Sequence, residues 1–133
     1  MNINKFTQKS LQAVQDCEKT AMEYGNQEIE QEHLLYALLT QDDSLILKMM
    51  EKMGLDKNLV VDRVEQAITK RPKVQGGQPY VGQYLNKALI SAEDEMKQMG
   101  DEYVSVEHLF LALLKHPSRE IKQLFRELGI SRE

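Results

Sequence analysis

Residues 100–114 read GDEYVSVEHLFLALL, and residues 25–39 read GNQEIEQEHLLYALL. The two stretches align without a gap at an offset of 75. That offset pairs Gly25 with Gly100, Glu32 with Glu107, His33 with His108, Leu34 with Leu109, Ala37 with Ala112, and Leu38 and Leu39 with Leu113 and Leu114. It continues outward through Ala13 and Ala88, Glu18 and Glu93, Ile46 and Ile121, and Gly54 and Gly129. A register held over that distance marks an internal duplication.

Helix signals fill both copies. Thr7 is placed to cap a first helix, with Phe6 and Leu11 as its hydrophobic staple. Leu11, Ala13, Val14, Cys17, Ala21 and Met22 recur at helical spacing, and Gly25 stops the run. A second helix begins near Glu32 and His33 and carries Leu34, Leu35, Leu38 and Leu39, a row dense enough to require burial on most sides. Asp42 and Asp43 are expected to end it and to cap a third helix over 44–53, closed by Gly54; Pro117, Ser118 and Gly129 take those roles in the other copy. Asp56 caps a fourth helix, with Leu59, Val60, Val64, Ala67 and Ile68 facing inward. Residues 71–79, RPKVQGGQP, read as a linker. The second copy then gives a long helix over 80–99, a short one over 105–115 and another over 119–128. Ser131 matches Asp56 at the same offset, so an eighth helix is expected to begin there, and the sequence reads as a piece of a longer protein. No strand-like alternation is evident. The expectation is an all-α domain over 1–133, with about eight helices in two pseudo-two-fold four-helix repeats: repeat one about 1–70, linker 71–79, repeat two about 80–133, its last helix truncated.

Composition narrows the function classes. A chain of 133 residues can bury a substantial core. With 17 Lys and Arg against 21 Asp and Glu, and no basic stripe, it does not suit a phosphate backbone, so no nucleic-acid partner is expected. Cys17 is alone, which rules out an intrachain disulfide. The start, MNINKFTQKS, lacks the apolar run of a secretory signal, and no segment suits a membrane span. A soluble, cytoplasmic protein is expected. There is no G-x-x-x-x-G-K-[ST], H-E-x-x-H or C-x-x-C, and Gly76 and Gly77 lead to no phosphate-binding lysine. Cys17 sits in an apolar stripe, where a thiol is inert. No catalytic residue, cofactor site or metal site is expected in this segment.

Four side chains remain as binding candidates. Glu32 and Glu107 each fall in the first turn of a short helix, where the dipole alone accounts for a carboxylate. Alternatively the two acids, with Asp101 close by, present negative charge at a groove edge and select basic ligands. Thr7 is a cap by default, a role worth about 1 kcal/mol, and its hydroxyl could also bond a ligand backbone. His33 and His108 are read as first-turn packing or hydrogen-bonding residues rather than ligands. Of the seven methionines most are expected in the core, Met49, Met50, Met53, Met96 and Met99 among those at helical spacing, while their excess suits an adaptable surface.

The doubled motif, EHLLYALL at 32–39 and EHLFLALL at 107–114, resembles the Clp N-terminal domain that precedes the ATPase modules of Clp/Hsp100 AAA+ unfoldases. The resemblance covers essentially the whole chain. Within the family, residues 72–89, PKVQGGQPYVGQYLNKAL, look most like ClpB-type disaggregases, with ClpC and ClpA types the near alternative. It implies early contact with unfolded or aggregated polypeptides, which pass to an ATP-driven pore; ATP and magnesium belong to the ATPase modules. Further implied partners are adaptor proteins and the rest of the hexamer, with no membrane. The implied contact surface is an apolar groove between repeats edged by Thr7, Asp101 and Glu107. In ClpC-like relatives the acids of both copies, here Glu32 and Glu107, would serve adaptor or phosphoarginine recognition. The family often carries Thr or Ser and then Pro ahead of the first EHL, where this chain has Glu30 and Gln31. That departure implies a weaker first cap and less similar halves, so a one-sided site would lie with Asp101, Ser105 and Glu107. A free-standing helical scaffold is a third reading, against which the matched start of an eighth helix argues.

Overall fold

A computed structural model describes residues 3–130. After a short 3-10 turn (Ile3–Lys5) the chain forms α1 (Gln8–Glu23), β1 (Glu28–Ile29), α2 (Gln31–Thr40), α3 (Leu45–Lys52), α4 (Lys57–Thr69), β2 (Tyr80–Val81), α5 (Gln83–Gln98), α6 (Val106–Lys115) and α7 (Arg119–Leu128). The described residues thus make an all-helical domain of seven α-helices with two very short strands. The expected start of an eighth helix at Ser131 lies outside the described residues.

Helices begin where a side chain can accept an otherwise unmet first-turn N–H. Thr7, Asp56 and Ser118 do this for α1, α4 and α7. The third helix differs from expectation. The chain turns through Asp43 at φ 58°, which carries the cap one residue on, so Ser44 accepts from Leu47 N at 3.1 Å and donates to Leu38 O. The fifth helix is also shorter than expected, because Tyr80 and Val81 pair in parallel with Glu28 and Ile29. Strands of two residues carry too little alternation to be visible in a sequence.

That pairing is half of a reciprocal arrangement. A single parallel bridge joins Phe6 to Val104, and the offset of 75 maps Phe6 onto Val81 and Ile29 onto Val104. Thr7 N donates to Val104 O at 3.0 Å, and Gly82 N donates to Ile29 O at 2.8 Å. The segment leading into the first helix of each repeat therefore lies on the other repeat. Between these bridges α1 packs on α2 and α5 on α6, while α2 touches α4, α5 and α6. Leu34, Leu38, Leu109 and Leu113 are sealed in this core, which satisfies the dense apolar rows of α2 and α6.

The core also excludes residues expected in it. Met50 and Met96 are buried, but Met22, Met49, Met53 and Met99 are exposed, as is Leu59 in the first turn of α4. Leu45, Met49 and Met53 form one outward stripe along α3. In the other repeat α7 packs against α4, which buries Leu124, the counterpart of Met49. No described element covers the α3 stripe in the same way.

Candidate functional site

The site grows from the first turns of α2 and α6. His33 Nδ1 accepts from Glu30 N at 2.9 Å, and His108 Nδ1 accepts from Ser105 N at the same distance. Each ring closes a capping box. With Nδ1 accepting a main-chain N–H, the proton sits on Nε2. There His33 meets Asn26 Oδ1 at 3.0 Å and His108 meets Asp101 Oδ2 at 2.8 Å. Burial, and then the charge of Arg71, hold His33 down to about 4, so it is neutral at physiological pH. Both histidines are spent on fixing the loops that precede α2 and α6.

The loop before α6 relates three of the four candidate residues: Asp101 lies in it, Glu107 follows it in the first turn of α6, and Thr7 is tied to it. Thr7 Oγ1 accepts from Ser10 N at 3.1 Å, and its main chain is tied to Val104, in the loop between Asp101 and Glu107. Asp101 keeps 48% of its side chain exposed although it accepts from His108. Glu107 is exposed, and its carboxylate has no hydrogen bond or ion pair among the described residues. A cavity of about 670 Å³ opens beside Asp101, walled by Lys5, Lys97, Glu102, Met96 and Tyr103 among others. Its walls mix charge with apolar surface and include neither Thr7 nor Glu107, so the expected apolar groove is only partly matched there.

Glu32 stands apart from these three. It is 1% exposed and accepts from Arg71 Nη1 at 2.8 Å, while Arg71 Nη2 reaches Glu28. Matching positions thus behave differently: one acid is sealed beneath the linker and the other faces solvent. Arg71 also borders a cavity of about 760 Å³, whose walls include Glu28, Glu30, Arg63, Tyr84 and Glu127.

The residues that sequence reasoning passed over lie at the seam between repeats. Gln31 is completely buried. Its Nε2 donates to Tyr84 O at 3.0 Å and His116 O at 2.9 Å, and its Oε1 accepts from Ser118 N at 2.8 Å, so one amide joins the ends of α5, α6 and α7. Glu30 caps α2, and its Oε1 accepts from Tyr84 N and Leu85 N, each at 3.1 Å, at the start of α5. Gly82, the N-cap of α5, has no side chain to do this itself. The expected weaker cap is in keeping with the long 3.4 Å bond from Gln31 N to Glu30 Oε2, while both residues gain a role the sequence did not reveal, fastening the other repeat. Burial pushes the Glu30 carboxyl above its ordinary range, against the main-chain bonds from Leu85 and Gln31 that draw it down. The signal was present at the offset of 75, where Gly82 matches Thr7 and Glu30 matches Ser105.

Elsewhere, Cys17 is buried and its thiol is pushed far up by desolvation. Among the described residues no group of three or more His, Cys, Asp and Glu converges to hold a metal. No helix of the described residues is long and apolar enough to cross a membrane.

Comparison with known proteins extends this description. The family model described as Clp repeat (R) N-terminal domain matches residues 5–128. The chaperone protein ClpB of Nitratidesulfovibrio vulgaris is 40% identical over 139 residues, an alignment that takes in 100% of this chain and 16% of that protein. The chain thus spans under a fifth of that relative's length. The N-terminal domain of Hsp104 from Candida albicans superposes with a TM-score of 0.81 at 22% identity, covering 96% of this chain and 84% of the other. A ClpV N-domain solved in complex with a VipB peptide superposes at 0.73 with 24% identity, covering 95% and 80%. At these identities the two structures establish a shared fold.

Proposed function

The chain belongs to the Clp repeat N-terminal domain family, and from that membership we propose that it is the non-catalytic polypeptide-docking module of a ClpB-type disaggregase. Its ligands are unfolded or aggregated chains, handed on to ATPase modules elsewhere in the protein. Support comes from the ClpB relative and from the peptide complex formed by a ClpV domain of the same fold. The observation that carries the reading is the exposed Glu107, whose carboxylate has no partner among the described residues, beside the loop from Asp101 that the Phe6–Val104 bridge ties to the segment holding Thr7. Exposed Met99 and Tyr103 add apolar surface around that loop. A client that must be released is held weakly, because ordering an unfolded chain costs much of its contact energy. Asp101 and Glu107 bias this contact toward Lys- and Arg-bearing segments.

The alternative, an adaptor- or phosphoarginine-binding module of the ClpC or ClpA type, calls on both Glu32 and Glu107. It draws less support, since Glu32 is already committed to Arg71. NMR titration with a denatured client, and separately with phosphoarginine, tests the choice. Shifts at Thr7, Asp101 and Glu107 with the client alone uphold the docking reading. Saturable shifts at Glu32 and Glu107 with phosphoarginine replace it with the alternative, and silence with both rejects the site.

A further inference from the structure

The two histidine boxes hold different groups. In repeat one His33 Nε2 meets Asn26 Oδ1 at 3.0 Å, which turns the other end of the amide to the linker, where Nδ2 donates to the Pro72 carbonyl at 3.1 Å. Val74 N donates to Gly25 O at 2.9 Å, and the Lys73 stem lies 3.8 Å from where a Cβ on Gly25 would stand. Residues 71–74 thus lie extended over this loop, and Asn26 is buried beneath them. The histidine aims a side chain, and the aimed side chain grips a main chain.

Repeat two carries the same device, uncovered and of opposite polarity. The offset of 75 carries Asn26 to Asp101 and Ala21 to Met96. Asn26 N donates to Ala21 O at 2.8 Å and Asp101 N to Met96 O at 3.0 Å, so the two main chains are held alike. His108 Nε2 meets Asp101 Oδ2 at 2.8 Å, and its Nδ1 takes the Ser105 N–H at 2.9 Å, which fixes the ring at both ends. Asp101 nevertheless keeps nearly half of its side chain exposed. A Cβ on Gly100 would meet nothing within 4 Å, where Gly25 has Lys73.

We infer that His108 is a positioning residue of the docking site, holding the Asp101 carboxylate with one oxygen turned to a main-chain N–H of the client. The inference rests on the polypeptide-docking reading and says what that oxygen takes, beyond the bias its charge supplies. A carboxylate only accepts, whereas the amide of Asn26 also donates. A chain laid over loop 100–107 as residues 71–74 lie over loop 25–32 would bring a carbonyl to Asp101, acceptor against acceptor, so that placement is closed. The client is instead held by an N–H, which every residue but proline offers, and the contact is therefore indifferent to side-chain sequence. Holding matters because an unrestrained carboxylate would lose its rotamer freedom on binding, and the imidazole has removed that freedom beforehand.

The test titrates the 15N-labelled chain with the neutral peptide acetyl-Ala-Leu-Ala-Leu-Ala-dimethylamide and with its fully N-methylated form, which keeps the carbonyls and has no N–H. The first peptide shifts the His108 Nε2 signal through Asp101 and leaves that of His33 unmoved; the second moves neither. His108→Asn keeps an acceptor near the place of Nδ1 for Ser105 and has nothing at the place of Nε2. It weakens the first peptide about tenfold, as Asp101→Ala does, the loss expected for one bond to a charged group. The double variant binds no more weakly than Asp101→Ala. Asp101→Asn keeps the bond from His108 and presents an amide N–H as Asn26 does, so it gains the methylated peptide. A His108 signal that stays still, or equal binding of the two peptides by the parent, overturns the inference. So does a further loss from His108→Asn in the Asp101→Ala background, which makes the histidine a fixture of the loop alone. Should His108→Asn fail to fold, the imidazole signal and Asp101→Asn decide. If neither peptide binds while reduced, carbamidomethylated lysozyme, a permanently unfolded chain, still shifts Thr7 and Glu107, the inference falls and the docking reading stands. Silence with all three removes both.

Discussion

Glu30 fills the space that a side chain on residue 82 would need: a Cβ built on Gly82 would stand 1.9 Å from Glu30 Oε1 and 2.6 Å from its Cδ. Gly82 has φ −70°, a conformation open to any residue, so the requirement for glycine is steric. At the matching place in the other repeat, Thr7 caps its own helix and Ser105 stands where Glu30 would be. One long and one absent side chain replace two of medium length.

This exchange predicts coupling. Gly82→Thr alone should destabilise the fold by about 1–3 kcal/mol through overpacking. Glu30→Ser alone should cost about 1 kcal/mol or more, because Tyr84 N and Leu85 N lose their acceptor. The double substitution rebuilds the Thr7 and Ser105 arrangement and should cost clearly less than the sum. Urea unfolding of the four proteins measures the cycle, and additive losses would show that the two positions act independently.

Arg71 is expected to be structural as well as positional. Its side chain is 14% exposed and is the partner of a carboxylate that is 1% exposed. Arg71→Gln leaves the Glu32 charge buried without its cation and should cost about 3 kcal/mol. Adding Glu32→Gln should recover part of the loss. Thermal unfolding of the single and double variants distinguishes this from a dispensable surface contact, for which both would unfold like the parent.

Stability should fall with acid through His33. Its ring titrates near 4 in the fold against an ordinary 6.5. Between those values the unfolded chain binds a proton that the folded chain refuses. The contribution is therefore fully present above 6.5 and is lost as pH falls toward 4, by about 3 kcal/mol at most. Glu30 works in the opposite sense. Its raised carboxyl favours the fold at low pH, and that contribution is lost as pH rises from the ordinary carboxylate value through the raised one. His33→Gln keeps an acceptor for the capping box and should flatten the decline between pH 6.5 and 4. An unchanged slope in denaturant unfolding would assign the decline to other groups.

Core and edge substitutions should separate cleanly. Leu38→Ala and Leu113→Ala remove completely buried side chains and should each cost about 2–5 kcal/mol. Glu107→Ala touches an exposed side chain and should alter stability by less than about 0.5 kcal/mol while weakening client binding. A large drop in melting temperature with unchanged binding would make Glu107 a helix-end fixture.

The helices were legible because their periodicity and punctuation are local: α7 spans the expected residues, and α6 starts one residue after the expected 105 and ends at the expected 115. The short strands were not, since two residues show no period. Exposure of Met49 and Met53 was missed for a different reason. Helical spacing defines a face, but whether a neighbour covers that face depends on packing between elements. Thr7, Asp101 and Glu107 were singled out from the motif and its resemblance, and Thr7 N meets Val104 O in the loop between the two acids. The inequality of Glu32 and Glu107 was not legible, because it depends on where residues 71–74 come to rest. Glu30 and Gln31 looked like departures from a motif, and their partners Gly82, Tyr84 and Ser118 are too far along the chain for a local pattern to connect them.

The reciprocal bridges, Phe6 with Val104 and Ile29 with Val81, bear on how such a chain could have arisen. A single repeat of this design has a leading segment with no loop of its own to lie on, and a loop with no segment to receive. Two copies satisfy one another only by mutual exchange, as in a swapped two-fold dimer. Residues 71–79 join the two halves covalently, so what would be association between subunits becomes an intramolecular step at high effective concentration. Freed from the need for identical partners, the halves could diverge at the seam, one keeping Thr7 with Ser105 and the other taking Gly82 with Glu30.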